Sequence, residues 1–227
     1  RIIADFSIHA EYTSFEHLVR PYAADCLKRG ARMHLHLSET VKEHEACKAR
    51  YGKTPTRWFL DLGVMDNPVI AAHCVAVEPA DMDILARQGV SCVHNPSSNM
   101  KLGSGFMPLK DLLERGINVA IGTDGAASNN NLNLFEEIHL ASLIHKGHSG
   151  DPTVIKPDDL LLMATRNGAM AQGRSDCGEL AVGKKADLIA LDMHKAHLMP
   201  AHDIPALLVY AAQASDVDMT MVDGKIL

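Results

Sequence analysis

The chain has 227 residues, enough for one domain and part of a second. Its 22 Lys and Arg against 28 Asp and Glu give a net charge of −6 at pH 7, which argues against nucleic acid or an anionic membrane as the main partner. No apolar run approaches the roughly 18 residues that a membrane span requires. The count of 13 His is unusual, because soluble enzymes use histidine for metal and proton chemistry.

Short apolar strands alternate with helix-forming stretches through the first two thirds of the sequence. The predicted strands are residues 1–8, 31–37, 68–75, 90–94 and 117–122. The first predicted helix opens at a Thr13–Glu16 capping box and ends at Gly30. The later predicted helices are a stretch ending at Tyr51, then 54–62, 79–88, 108–115 and 132–146. Five strand–helix units in succession predict a parallel α/β fold, either doubly wound or a (β/α)₈ barrel.

The sequence departs from this alternation in one loop and again in its last third. A loop rich in Pro, Ser, Asn and Gly is predicted between residues 94 and 108, and residues 158–172 are predicted to form one helix. Beyond a composition boundary near 174, residues 178–192 and 217–227 each hold a predicted strand. We therefore expect a parallel α/β domain over 1–173 and a small β-rich element over 174–227.

The cysteines indicate a reducing compartment. They are odd in number, widely scattered and form no C-x-x-C pair: Cys26, Cys47, Cys74, Cys92 and Cys177. A disulfide scaffold or a thiolate zinc site is not expected, and the thiols are interpreted as small buried apolar groups. A cytoplasmic location is the corresponding expectation.

Histidine or aspartate stands at the end of each predicted strand. These residues are His9, His36, His73, His94 and Asp124. One such histidine is weak evidence, since a polar residue at a strand end usually has a structural partner. In parallel α/β folds, however, the carboxyl ends of the strands meet at one edge, where the chemistry gathers. The five together predict a site there.

Two of these positions carry further signals. His36 can bind Zn²⁺ or another divalent ion, and Glu39, three residues later, can reach the same cavity as a proton shuttle. The alternative makes Glu39 an ordinary acid at a helix N-terminus. His34 shares the strand face of His36 and is either a second ligand or a packed histidine.

Asp124 lies in the segment GTDGAASNN, directly after an apolar strand. Its carboxylate can bind a cation and take a proton from water, although Asp-Gly is also a common turn signal. His73, in AAHCV, is the remaining group that could contact that water or a developing oxyanion.

With these residues described, the sequence resembles the amidohydrolase superfamily, in its ATZ/TRZ-like branch of metal-dependent deaminases. The resemblance covers almost the whole chain. It rests on MHLHLSET (33–40), AAHCV (71–75), HNPSSNMKLGSG (94–105), GTDGAASNNNLNLFEE (122–137), MATRNGA (163–169) and GELAVGKKADLIALD (178–192). Within that branch it is most similar to the enzymes that deaminate adenosyl thioethers.

The resemblance implies a role for each site residue. His36 and Asp124 would bind one divalent metal, zinc before iron or manganese, and Asp124 would also take the proton of the attacking water. Glu39 would shuttle protons and touch the substrate ring, and His73 would hydrogen-bond the attacking water. His9 would contact the substrate. The implied fold is part of a TIM (β/α)₈ barrel, about strands 4–8, with strands of a small β-sandwich.

Two departures from the family pattern matter. Residues 8–12 read Ile-His-Ala-Glu-Tyr where the family usually has Pro-His-Ala/Ser-Pro-Tyr, a difference that bears on the geometry around His9 and so on substrate specificity. The family's first-strand H-x-H pair is absent from this sequence, which begins at Arg1, and we expect the chain to be part of a longer protein. Because the resemblance gives the fifth strand one ligand, His36, we expect His34 to line the barrel.

The expected reaction is hydrolytic deamination of 5′-methylthioadenosine or S-adenosylhomocysteine to the inosyl product and ammonia. One alternative is a related hydrolase that acts on guanine, an 8-oxopurine or a triazine. Another is that the chain as it stands is a catalytically incomplete partial barrel, because two ligands are fewer than the three that catalytic zinc sites keep. The expected partner is a small purine nucleoside, without nucleic acid or membrane, and a homo-oligomer is left open.

Overall fold

A computed structural model describes residues 3–227, so Arg1 and Ile2 of the predicted first strand lie outside the described residues. The chain forms two compact units, one extending to Val119 and the other Ala120–Leu227. The predicted domain boundary near 174 stays a prediction. None of the helices in the described part of the chain is long and apolar enough to span a membrane.

A five-stranded sheet organises the first unit. Its strands, in spatial order, are β1 Phe6–Ser7, β2 Met33–Leu37, β3 Val69–His73, β4 Ser91–His94 and β5 Val119–Ile121, the last of which crosses the unit boundary. The pairs β1–β2, β2–β3 and β3–β4 are all parallel. Parallel pairing requires a crossover between consecutive strands, and here helices supply it, as the alternating sequence predicts.

Six helices lie in this unit: α1 Glu16–Lys28, α2 Val41–Tyr51, α3 Pro55–Asp61, α4 Pro79–Arg87, α5 Pro96–Lys101 and α6 Leu109–Glu114. Glycine ends α2 as predicted, because Gly52 takes the left-handed conformation at φ +66° and donates its N–H to the Lys48 carbonyl. Thr54 caps α3 by accepting from the Arg57 N–H at 3.2 Å.

The pattern of burial shows which face of β2 contributes to the core. Met33, Leu35 and Leu37 are buried, whereas His34 is exposed and His36 is half-buried. This alternation is the period of two that a strand imposes on its side chains. Every residue of β3 is buried, as expected for a central strand of a parallel sheet.

The second unit contains the remaining helices and a small antiparallel sheet. The helices are α7 Ala126–Asn129, α8 Leu134–Ser149, α9 Pro157–Ala164, α10 Arg166–Ala171 and α11 Ile204–Tyr210. The sheet has the order β6-β7-β8, with β6 Leu188–Leu191, β7 Val217–Val222 and β8 Lys225–Ile226. The expected β-rich element near the end of the chain is therefore present.

The predicted capping box at the start of α1 is wrong. The helix begins at Glu16 after Phe15, which provides no side-chain cap. The Thr13 hydroxyl instead donates to the Ala10 carbonyl at 3.1 Å and accepts from the Ala10 N–H at 3.3 Å. Threonine competes for nearby backbone groups in this way, and here it closes a tight turn before the helix.

Four further expectations need correction. The first strand is shorter than predicted, with only Phe6–Ser7 in the described part of the sheet. The predicted loop between 94 and 108 contains α5, which begins with Pro96, a residue suited to the first helical position. The predicted helix over 158–172 is broken at Thr165, whose backbone lies at φ −129°, ψ −92°. Finally, α11 was not predicted, although Asp203 caps it by accepting from the Ala206 N–H at 3.0 Å.

Candidate functional site

The backbone bends sharply where β2 and β3 end. Ser38 has φ +46°, His73 has φ +71° and Cys74 has φ +48°. Non-glycine residues rarely adopt positive φ, and such strain concentrates at functional sites. The N–H groups of Val75 and Ala76 donate to the Ser38 carbonyl at 3.1 and 2.9 Å, which holds the two bends together.

His36 is the half-buried penultimate residue of β2. Its Nδ1 lies 2.9 Å from the backbone carbonyl oxygen of His9. A carbonyl oxygen can only accept, so Nδ1 carries the proton and donates it. In the neutral ring this arrangement leaves the lone pair on Nε2, which is the form that binds a metal.

His73 ends β3 and has the same arrangement. Its Nδ1 lies 2.9 Å from Oδ1 of Asn99, and both residues are buried. The His36 and His73 ring centroids are 5.1 Å apart, and one ring nitrogen of each lies within 4.8 Å of the other. Two imidazole rings, each held by a hydrogen bond at Nδ1, thus lie side by side at the end of the sheet.

Glu39 lies next to the His73 ring. One carboxylate oxygen, Oε2, is 3.8 Å from His73 Nε2, and the other, Oε1, accepts a hydrogen bond from Ser104 Oγ at 3.3 Å. The Glu39 residue precedes Thr40, the N-cap of α2, so it stands outside the helix, and the acid of the first helical turn is Glu43. Its side chain is 21% exposed, so a ligand could reach it.

Glu43 holds the backbone of this turn. Its Oε2 accepts the Glu39 N–H at 2.8 Å, while its own N–H donates to the Thr40 hydroxyl at 3.0 Å. Burial raises the pKa of Glu43 from 4.5 to about 7, and the nearby charges of Glu11 and Glu39 add to the rise, although the backbone hydrogen bonds oppose it. Glu43 Oε1 is buried without a hydrogen-bond partner.

His9 lies after β1, beside His36. The centroid of the exposed His9 ring is 5.0 Å from that of His36 and 5.6 Å from that of Tyr12. Its Nδ1 is 2.9 Å from the Thr13 hydroxyl. The prediction placed His9, His36 and His73 near one another, and the structure brings these three side chains and Glu39 together.

Glu11, the departure from the family pattern, is fully buried rather than exposed near the site. Arg50 Nη2 contacts both of its carboxylate oxygens, at 2.6 and 2.8 Å. Burial raises the pKa of Glu11, whereas the Arg50 charge lowers it. The ion pair fixes the turn that carries His9 and Tyr12 to helix α2.

The two remaining strand-end residues have different surroundings. His94 is fully buried at the end of β4. Asp124 lies in the second unit, three residues after β5, at φ +60°. Its Oδ1 accepts the Gly125 N–H at 2.7 Å, a local contact that the Asp-Gly turn signal anticipated. Its part in metal binding stays a prediction.

Sequence reasoning missed the roles of Asn99 and Ser104. Both are buried, and each contacts a predicted site residue: Asn99 contacts His73 and Ser104 contacts Glu39. They belong to the segment HNPSSNMKLGSG, which carried part of the family resemblance. That segment was the available signal, although its composition predicted only a loop.

A second group of potential ligands, His44, Glu45 and Glu78, lies elsewhere in the first unit. Lys48 occupies it, because its Nζ is 2.7 Å from Glu78 Oε1 and 3.2 Å from Glu45 Oε1. The ammonium group supplies the positive charge that a metal ion would bring.

Comparison with known proteins identifies the class of enzyme that has this fold. Residues 3–227 match the model of the amidohydrolase family, and the chain belongs to that family. The expected fold, part of an amidohydrolase (β/α)₈ barrel, is confirmed by a solved adenosine deaminase of Xanthomonas campestris with bound zinc. It is 36% identical, with a TM-score of 0.94 over 98% of this chain and 51% of that one.

Two curated relatives are more similar in sequence. A 5-methylthioadenosine/S-adenosylhomocysteine deaminase of Acetivibrio thermocellus is 49% identical over all of this chain and 53% of its own length. A 5'-deoxyadenosine deaminase of Methanosarcina acetivorans is 47% identical over all of this chain and 52% of its own. The chain thus spans about half the length of the curated relatives it matches.

Proposed function

We propose that the chain carries the catalytic part of a deaminase that acts on 5′-substituted adenosines, in particular 5′-methylthioadenosine and S-adenosylhomocysteine. The observation that carries the proposal is the position of Glu39 between Ser104 and His73, whose ring lies beside that of His36. The names of the relatives supply the substrate class, since both act on adenosines altered at the 5′ position.

The reaction replaces the exocyclic amine of the adenine ring by oxygen. Water adds to the amino-bearing carbon, a proton goes to a ring nitrogen, and the C–N bond breaks to release ammonia. In this proposal, Asp124 accepts the proton of the attacking water. Glu39, protonated at the start, gives its proton to the ring nitrogen and recovers one from the new hydroxyl group, while Asp124 passes the proton of the water to the departing amine. His73 orients the water through its Nε2.

One divalent metal fits the donors in this chain. His36 Nδ1 donates to a carbonyl, which is how metal-binding histidines are oriented in proteins, and in the neutral ring this leaves Nε2 to bind the ion. We propose His36 and Asp124 as its ligands in this chain, with zinc as the ion. When bound, such an ion lowers the pKa of a coordinated water to about 7 and so supplies a nucleophile at neutral pH.

Substrate contact is proposed for His9 and Glu39. The His9 ring is exposed, and its position against Tyr12 and His36 leaves it open to a ligand at the sheet edge. The altered residue at position 11, Glu11, is buried and paired with Arg50. Its side chain therefore leaves His9 available for contact with a ligand.

A chimera tests the function in a complete barrel. In it, this chain replaces the matched segment of the Acetivibrio thermocellus relative, and a panel of amino-purines and a triazine is assayed by ultraviolet absorbance and ammonia release. The proposal expects turnover of adenosyl thioethers above that of guanine, 8-oxopurines and triazines. The parent relative and a Glu39→Gln chimera are the controls.

Two results would contradict the proposal. Preferred turnover of guanine or of a triazine would support the alternative substrate class. A folded chimera with no activity on any of these compounds would show that this chain does not carry the residues that deamination requires.

A further inference from the structure

The segment from Asn95 to Gly105 contacts two site residues, yet the proposed reaction gives it no part. We propose that Asn99 is a positioning residue that keeps the proton of His73 on Nδ1 and so leaves Nε2 to face Glu39. This inference rests on the proposed function for its catalytic meaning, but the hydrogen bond itself can be tested without catalysis.

The geometry determines the direction of the hydrogen bond. Asn99 Oδ1 lies 2.9 Å from His73 Nδ1, and an amide oxygen can only accept. Nδ1 therefore carries a proton, and in the neutral ring Nε2, 3.8 Å from Glu39 Oε2, presents a lone pair. If the proton were on Nε2 instead, His73 could not accept a hydrogen bond from water at that atom.

The burial of Asn99 indicates that its side chain is used for this contact. The residue is fully buried, and its Nδ2 has no hydrogen-bond partner. An unpaired buried donor lowers stability, because it loses its hydration without a replacement. An apolar residue of the same size would avoid that loss, so the amide is better explained by what its oxygen does.

Backbone contacts hold Asn99 in place. The Ser104 N–H donates to the Asn99 carbonyl at 2.9 Å, and the Ser104 hydroxyl reaches Glu39. Gly105 lies at φ +119°, and a Cβ there would come within 3.0 Å of the Val75 side chain, two residues after His73. The same turn therefore fixes the partner of His73 and the partner of Glu39.

The test measures which nitrogen of His73 is protonated. Chain labelled with ¹⁵N at histidine is studied by NMR without metal or substrate, at a pH well above the ordinary histidine pKa of about 6.5. The His73 signals are identified by their loss in His73→Gln. We expect the proton on Nδ1 in the wild type and a shift of the population towards Nε2–H in Asn99→Leu.

Two further variants separate positioning from a loss of structure. Asn99→Asp keeps an acceptor at the same place and should keep Nδ1 protonated. Asn67→Leu removes another buried asparagine, one whose Nδ2 donates to the carbonyls of Ala23, Gly63 and Val64, and should leave the His73 signals unchanged. Circular dichroism establishes that each variant is folded.

The result decides the inference independently of deamination. A wild-type His73 with its proton on Nε2, or an unchanged tautomer in folded Asn99→Leu, would overturn it. If the tautomer responds as expected but the chimera deaminates nothing, the positioning stands and the proposed function fails. In an active chimera, Asn99→Leu should lower kcat by about tenfold or more, and Asn99→Asp should lose less.

Discussion

The His9 carbonyl oxygen accepts a hydrogen bond from His36 Nδ1 at 2.9 Å. Through it, the backbone that follows the first strand selects which ring nitrogen of a histidine on the second strand donates a hydrogen bond. His9 and His36 also touch through their rings, whose centroids are 5.0 Å apart. A displacement of the His9 turn would therefore disturb both the proposed substrate contact and the proposed metal ligand.

This relationship predicts that zinc binding by the chain depends on His36 and not on His34. His36→Ala should weaken zinc affinity by about tenfold or more, because it removes a ring whose Nε2 is held ready to bind. His34→Ala, on the same face of β2 but exposed, should change it little. Competition with a chromophoric chelator measures both affinities. An equal loss in the two variants would contradict the assignment of His36 alone.

Glu39→Gln should remove most deaminase activity from the chimera. A glutamine keeps the size of the side chain but cannot donate or accept the transferred protons. Because Glu39 acts in more than one proton transfer, kcat should fall beyond the roughly 10²–10⁴-fold typical of one general acid or base. Steady-state ammonia release measures the change, and Glu45→Gln, on the exposed face of α2, is the control. Near-normal turnover would reject Glu39 as the proton shuttle.

The order of strands and helices was predictable because local signals agree with the tertiary structure. Apolar runs mark β2 to β5, and Gly52 and Gly89 mark helix ends with left-handed backbones. The prediction failed where another hydrogen bond or the backbone conformation outweighed the local signal. Thr13 bonds back to Ala10 instead of capping a helix, and Thr165 interrupts a stretch that is continuous in its sequence pattern.

The candidate site was predictable only in part. Their positions at the ends of predicted strands identified His9, His36 and His73, because parallel strands end at one edge of the sheet. The positive φ angles of Ser38 and His73 could not be read from the sequence, since neither residue favours that conformation. Nor does a stretch of Pro, Ser and Asn reveal which amide is buried against an imidazole.

The buried Glu43 predicts a stability that falls as the pH rises from 4.5 to about 7. In this range the folded state holds a proton that the unfolded state has already lost, because burial raises the pKa of Glu43 to about 7. A pKa difference of about 2.5 corresponds to a loss of up to about 3 kcal/mol. Urea unfolding across this pH range measures it.

Glu43→Gln should flatten this pH dependence and make the chain more stable than the wild type above pH 7. The glutamine oxygen can still accept the Glu39 N–H without a charge to bury. The matched control is Glu45→Gln, an exposed acid two residues along α2, which should leave the slope as it is. If Glu43→Gln kept the wild-type slope, another group would be responsible.

His145 predicts the opposite dependence, at lower pH. This histidine is buried in α8, and burial lowers its pKa from 6.5 to about 4, with the charge of His148 adding to the effect. Between these values the unfolded chain binds a proton that the folded chain does not, so stability falls as the pH drops from 6.5 to about 4. The loss is up to about 3 kcal/mol. His145→Gln should reduce it in urea unfolding, whereas His202→Gln, at an exposed position of the same unit, should not. Equal acid sensitivity in wild type and His145→Gln would assign the effect to other groups.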